Sequence, residues 1–209
     1  MTTGVRDETA AMALKDPPPR GGDALIVVDV QKDFLPGGSL AVPFGDEVIP
    51  SLNRLIQMMA KRGFPIILTR DWHPPDHGSF HDQGGPWPPH CVIRSEGAQF
   101  ASDLIVPPSA MILSKGTDPA QDGYSAFETS ELNQELRKVE ARRLLVGGLA
   151  TDYCVLNTVL DGLELGYAVL LLKEGIRAVD VHPEDGKRAV EDMIRRGAVL
   201  FDMGPQPFS

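Results

Sequence analysis

The chain has 209 residues, enough for one ordinary domain with tails. A formal net charge of −9 excludes the basic footprint of a nucleic-acid binder, and a 42% hydrophobic content excludes a disordered chain. Two cysteines, Cys91 and Cys154, are too few for a disulfide scaffold. Residues 1–20 hold no apolar signal stretch, and no uninterrupted apolar run reaches the length of a membrane span, so the expected compartment is a reducing cytoplasm.

Residues 1–22 read as a tail closing on Pro17-Pro18-Pro19-Arg20-Gly21-Gly22, which cannot form regular paired structure. Residues 23–203 read as one domain, and 204–209 as a second short tail. The run 24–30 is short, apolar and β-branched, the pattern of a strand buried on both faces. In 46–62, Val48, Leu52, Leu55, Ile56 and Met59 recur at helical spacing, and Gly63 stops the helix. A second strand is expected at 64–69. Residues 72–109 are rich in Pro, Gly and His, and a loop this long inside a compact domain is usually functional. Further on, strands are expected at 111–113, 143–147, 168–172 and 198–201, with helices at about 130–140, 152–164 and 184–196. His182, just before the last of these, reads as part of its start. Repeated strand–helix units predict an α/β fold, a doubly wound, mostly parallel six-stranded sheet with helices on both faces, Rossmann-like and three-layered. Sites in such sheets lie at the carboxyl ends of the strands, where Asp29, Asp71, Lys115 and the turn at 149–154 all fall.

Cys154 follows the fourth predicted strand and opens a predicted helix that Thr151 or Asp152 can cap. Helix-start N–H groups there favour a thiolate and can hold an oxyanion. A carboxylate at Asp29, inside an apolar run, is unlike surface decoration, and Lys115 after the third strand can lower a thiol pKa. The second constellation is histidine-rich: four of five histidines lie between 73 and 90. Asp71 and His73 stand two apart and point the same way in an extended segment. Together with His90 they offer one carboxylate and two imidazoles, a donor set for a divalent ion, zinc foremost and iron or manganese as alternatives.

Seven separated segments then resemble one family: ALIVVDVQKDF at 24–34, PGGSLA at 36–41, TRDWHP at 69–74, WPPHCV at 87–92, SKGTD at 114–118, YSAFE at 124–128 and GLATDYCV at 148–155. In this order they resemble the nicotinamidases, within the isochorismatase-like cysteine hydrolases. The resemblance implies a triad of Cys154, Asp29 and Lys115, with metal ligands at Asp71, His73 and His90. It implies a cis peptide before Ala150 and an oxyanion hole from the N–H groups of Ala150 and Cys154. His77 is a candidate further ligand, since some relatives use a histidine in this loop. Phe34, Trp87 and Tyr124 match positions lining the family's pyridine pocket. The implied activity is hydrolysis of nicotinamide, with pyrazinamide as a second substrate, in NAD salvage. The implied partners are that small molecule and a further copy of the chain, with no nucleic acid and no membrane. The readings that compete are a metal-free amidase of the same fold acting on N-carbamoyl or ureido compounds, and a non-enzymatic metal-binding protein.

Overall fold

The structure, a computed structural model, describes residues 18–128 and 130–204. Six strands form one sheet in the order β3-β2-β1-β4-β5-β6, and every neighbouring pair is parallel. In chain order the elements are β1 (Asp23–Val28), α1 (Val48–Lys61), β2 (Ile66–Asp71), β3 (Met111–Lys115), α2 (Ser130–Lys138), β4 (Arg143–Leu149), α3 (Leu156–Glu164), β5 (Ala168–Arg177), α4 (Asp185–Arg195) and β6 (Val199–Phe201). The predicted fold class holds.

Burial on both faces explains the apolar strands. All residues of β1 and β4 are buried, and they pair from Asp23↔Arg143 to Val28↔Gly148. On one face, Leu25, Val27, Leu68 and Leu145 pack under α1 and under Ala98, Ala101 and Leu104 of the long loop. On the other, Ala24, Ile26, Ile67, Leu144 and Val146 pack under α2, α3 and α4. Fully burying one such leucine or isoleucine stabilises the fold by roughly 1.5–3 kcal/mol. The chain leaves β1 toward β2 and β3, then returns to β4 on the other side of β1. Connections therefore depart in opposite directions between β1 and β4, and a crevice opens at their carboxyl ends.

Several boundaries move from expectation for physical reasons. β1 stops at Val28, because Asp29 takes φ +48 and leaves the extended conformation. β2 runs on through Asp71, in register with β3 as far as Asp71↔Lys115. β5 continues past the polar Lys173-Glu174 to Arg177 through an irregularity in its pairing with β4, which alternation alone does not reveal. Of the predicted amino-terminal tail, Pro19 is buried and the Gly22 carbonyl accepts the N–H groups of Arg142 and Arg143, so this end lies against the sheet. The remainder of that tail, residues 1–17, and 205–209 of the carboxyl-terminal one lie outside the described residues. His182 and Asp185 exchange hydrogen bonds at the start of α4, as expected for a helix opening. Among the described residues, no helix is long and apolar enough to cross a membrane.

Candidate active site

Three strand ends bring the predicted polar residues together. Lys115, the last residue of β3, is buried, and its ammonium is the hub. Nζ lies 2.8 Å from Asp29 Oδ2, 2.5 Å from Asp71 Oδ1, 2.9 Å from the Gly123 carbonyl and 3.3 Å from Cys154 Sγ. Asp71 arrives beside Lys115 because β2 and β3 are parallel and in register, which puts the two side chains on one face. Asp29 reaches the hub from its left-handed turn after β1, and Thr69 Oγ1 donates to its other oxygen at 2.7 Å.

Cys154 stands in a π-helical turn, Thr151–Val155, that leads into α3. The expected cap is absent: Ala150 precedes the turn and no side chain caps it. Asp152 instead accepts the N–H groups of Val179 and Asp180, tying the turn to the segment before α4. The peptide between Leu149 and Ala150 is cis. The Ala150 carbonyl takes the N–H groups of Tyr153 and Val155, on either side of Cys154.

Burial dominates the electrostatics. It pushes the Asp29 carboxyl up to about 6, helped by the charge of Asp71 and opposed by Lys115 and Thr69. It pushes the Cys154 thiol well above its ordinary value, against the pull of Lys115. Lys115 is driven the other way: burial would lower it, but Asp29 and Asp71 hold it well above the usual lysine range. At Asp71 burial is outweighed by Lys115 and then by His73 and His90, so its carboxyl lies well below the carboxylate range. Burial thus favours the thiol at Cys154, and the neighbouring carboxylates favour the ammonium at Lys115. The sequence-based expectation that Lys115 and the helix start favour a thiolate is met in direction by Lys115, but burial outweighs that pull.

The second constellation adjoins the first through Asp71. Donor atoms of Asp71, His73 and His90 all lie within 4.8 Å of one another, and all three residues are buried. Each imidazole is oriented from behind. His73 Nδ1 donates to the Gly116 carbonyl at 2.8 Å, and His90 Nδ1 to the Pro88 carbonyl at 2.8 Å. A carbonyl can only accept, so in the neutral form of each ring the proton sits on Nδ1 and Nε2 keeps a lone pair. Two buried carboxylates face one ammonium here, which adds charge complementarity for a cation. The donor set and its orientation thus fit a divalent ion. His77 stands beside the three, its ring centroid 4.1 Å from that of His73, with Nδ1 against Ser79 Oγ at 2.7 Å and a buried Nε2 that has no hydrogen-bond partner among the described residues.

The predicted aromatics gather around this centre. Phe34 lies 5.6 Å from the His90 ring, and Trp87 Nε1 donates to the Tyr124 hydroxyl at 3.0 Å. Sequence reading missed Tyr153, whose ring meets Trp87 edge-on at 4.9 Å and Tyr124 at 5.5 Å. It also missed Phe80, which packs within 5.7 Å of the rings of His73, His77 and His90. Gln31 was a third omission: its buried amide donates to the Asp71 carbonyl and accepts the Asp71 N–H, at 2.8 and 2.7 Å. Tyr153 had one signal, its place next to Cys154, and Gln31 had its place in the segment 24–34 that carries the resemblance, while Phe80 had none outside three dimensions.

The Isochorismatase domain family profile matches residues 23–204, nearly the whole described chain. The chain belongs to the isochorismatase family. Within that family it is 42% identical to the nicotinamidase of Escherichia coli strain K12 over 207 residues, covering 89% of this chain and 96% of that one. Among solved structures it is similar to the pyrazinamidase of Pyrococcus horikoshii in complex with zinc, with a TM-score of 0.83 and 44% identity over 87% of this chain and 99% of that one. It is also similar to PnC1 of L. infantum in complex with nicotinate, with a TM-score of 0.81 and 36% identity over 87% and 93% of the two chains. The isochorismatase-family fold and the family resemblance read from the seven segments are thus both established for this chain.

Proposed function

We propose that the chain hydrolyses nicotinamide to nicotinate and ammonia, with Cys154 as the nucleophile and pyrazinamide as a second substrate. The observation that carries this reading is the Lys115 ammonium, which touches Asp29, Asp71 and the Cys154 sulfur at once. It joins an acid–base carboxylate, a nucleophile and a histidine-rich donor set into one centre. The nicotinamidase name of the Escherichia coli relative and the nicotinate bound to the L. infantum protein support the same substrate. A role in NAD salvage follows from that chemistry.

Asp71, His73 and His90 would hold one divalent ion, zinc foremost, given the zinc in the pyrazinamidase complex. When bound, such an ion supplies a Lewis acid for the lone pair of a ring nitrogen. Trp87, Tyr124 and Phe34 form apolar walls for a flat ring. A ring so held presents its amide carbon to Cys154, and orientation of this kind lowers barriers by about 7–11 kcal/mol in ideal cases.

The thiol proton passes to Asp29 Oδ2, which accepts no aligned hydrogen bond and lies against the Lys115 ammonium. Lys115 steadies the thiolate as it forms. Sulfur bonds to the amide carbon, and the carbonyl π pair moves to oxygen, where the N–H groups of Ala150 and Cys154 receive it. The carbon–nitrogen bond then breaks, and Asp29 returns its proton to the departing ammonia. Water attacks the thioester with Asp29 as base, releasing nicotinate and the thiol.

Ammonia release from nicotinamide, measured with and without a chelator, tests the proposal. Nicotinamide and pyrazinamide should both be turned over, and metal removal should abolish turnover. Benzamide lacks the ring nitrogen and should be poorer by about a hundredfold or more in kcat/KM, because a site built on a polar contact rejects analogues lacking it. Equal rates for benzamide and nicotinamide, or a preference for N-carbamoyl compounds, would overturn the assigned substrate.

A further inference from the structure

We propose that Glu128 is a positioning residue for His73, acting through the backbone of Gly116. The inference rests on the reading that Asp71, His73 and His90 hold a divalent ion. Glu128 lies between the active-site segment carrying Tyr124 and the helix α2, and none of the steps above uses it. Its Oε2 accepts the Gly116 N–H at 3.0 Å, and the carbonyl of the same residue accepts His73 Nδ1–H at 2.8 Å. Gly116 is thus pinned on one side by the carboxylate and pins the imidazole on the other. Glu128 is half-buried, and the hydrogen bond of its carboxylate among the described residues is the one to this turn.

Steric contact makes the coupling stiff. Gly116 takes φ +60, and a Cβ on it would fall 2.3 Å from His73 Cε1 and 2.6 Å from Nδ1. The imidazole therefore lies directly against the turn, and a rotation of the turn must rotate the ring. Gly123 closes the far side: with φ +70, a Cβ there would fall 2.4 Å from Gly116 Cα and 3.2 Å from Glu128 Oε2. The carbonyl of Gly123 is the one that accepts the Lys115 ammonium at 2.9 Å. One carboxylate thus orders the turn that fixes the His73 tautomer, and packs against the glycine that anchors Lys115. Groups standing behind metal-binding histidines in this way are worth about 10–100-fold in metal affinity.

Metal affinity, measured by competition with a chelator on the folded full-length chain, tests the relay. Glu128→Ala removes the acceptor and should weaken affinity by about 10–100-fold. Glu128→Gln keeps an acceptor oxygen and should stay within about threefold of the parent, a rescue that a bulk structural role would not produce. Should the alanine variant fail to fold, Glu128→Met fills the same space without an acceptor and should show the same loss. An alanine or methionine variant with parental affinity overturns the relay, as does a folded glutamine variant that loses as much as alanine. A parent chain that takes up no metal overturns the metal reading and the relay together, which separates that failure from a failure of the relay alone.

Discussion

At the level of single residues, the chemistry turns on which group holds the proton. The Cys154 thiol is pushed well up by burial, so it does not ionise unaided near neutrality. Replacing it by alanine should reduce ammonia release by at least about a thousandfold while leaving circular dichroism and metal content unchanged. Cys91 is buried in the α1-side core and its sulfur makes no hydrogen bond among the described residues, so Cys91→Ala should keep kcat near the parental value in the same assay. The proton acceptor sets the pH dependence. Burial raises the Asp29 carboxyl to about 6, and in the proposed mechanism it must be ionised to take the thiol proton. Below that pH the carboxyl already carries its proton, so kcat/KM should rise tenfold per pH unit up to about 6 and level off above. Lys115 is held well above the usual lysine range and adds no limb near neutrality. Asp29→Asn should abolish both the limb and the turnover; a pH profile unchanged in that variant would remove Asp29 from its role.

At the level of elements, the long connection between β2 and β3 is held by polar clamps. The short helical turn Lys32–Phe34 after β1 carries Asp33, whose Oδ2 accepts the Cys91 N–H at 2.7 Å, and whose Oδ1 accepts that of Ser39 at 3.3 Å. Cys91 follows the metal-donor candidate His90 and takes φ +46, so this clamp fixes a segment that would otherwise relax. The Gly97 carbonyl also accepts the Asp33 N–H at 3.0 Å, bringing the loop back against the same turn. Asp33→Ala strands a buried N–H and should cost about 1–3 kcal/mol, read as a lower Tm. It should also weaken metal binding in a chelator titration, because His90 loses its anchored neighbour. A variant that melts lower yet binds metal as tightly as the parent would show that the clamp serves the fold alone. The helices were legible because each has a single apolar stripe. The π-helical turn at Thr151–Val155 was not, since it is held by the Ala150 carbonyl and by the Asp152 contacts with the segment before α4, which no local pattern encodes.

At the level of the whole molecule, stability and chemistry lie at opposite ends of the sheet. Asp23 and Arg143 open β1 and β4, both buried, and pair in bidentate fashion at 2.7 and 2.8 Å. The reactive groups stand past the other ends of the same strands. Asp23→Ala takes away the carboxylate that two guanidinium N–H groups face, and should lower stability by about 3–5 kcal/mol. For protein that remains folded, kcat and KM for nicotinamide should be unchanged. A kcat that falls in step with stability would mean that the two ends of the sheet communicate.

The amino-acid sequence by itself determined the element types and their order, because burial writes itself locally as a period of two or 3.6 residues. It also picked out the candidate site residues: Asp29, Lys115, Cys154, Asp71, His73 and His90 are all legible as unusual residues at predicted strand ends or in a histidine-rich loop. Only the tertiary structure decided how these groups act on one another. Thr69 meets Asp29 across 40 residues of chain, Lys115 meets Asp71 across 44, and Asp33 meets Cys91 across 58. Such meetings depend on strand register and loop path, which no local pattern encodes. The same holds for protonation. A carboxyl near 6 and a thiol pushed upward result from burial, and burial is a property of the packed chain as a whole.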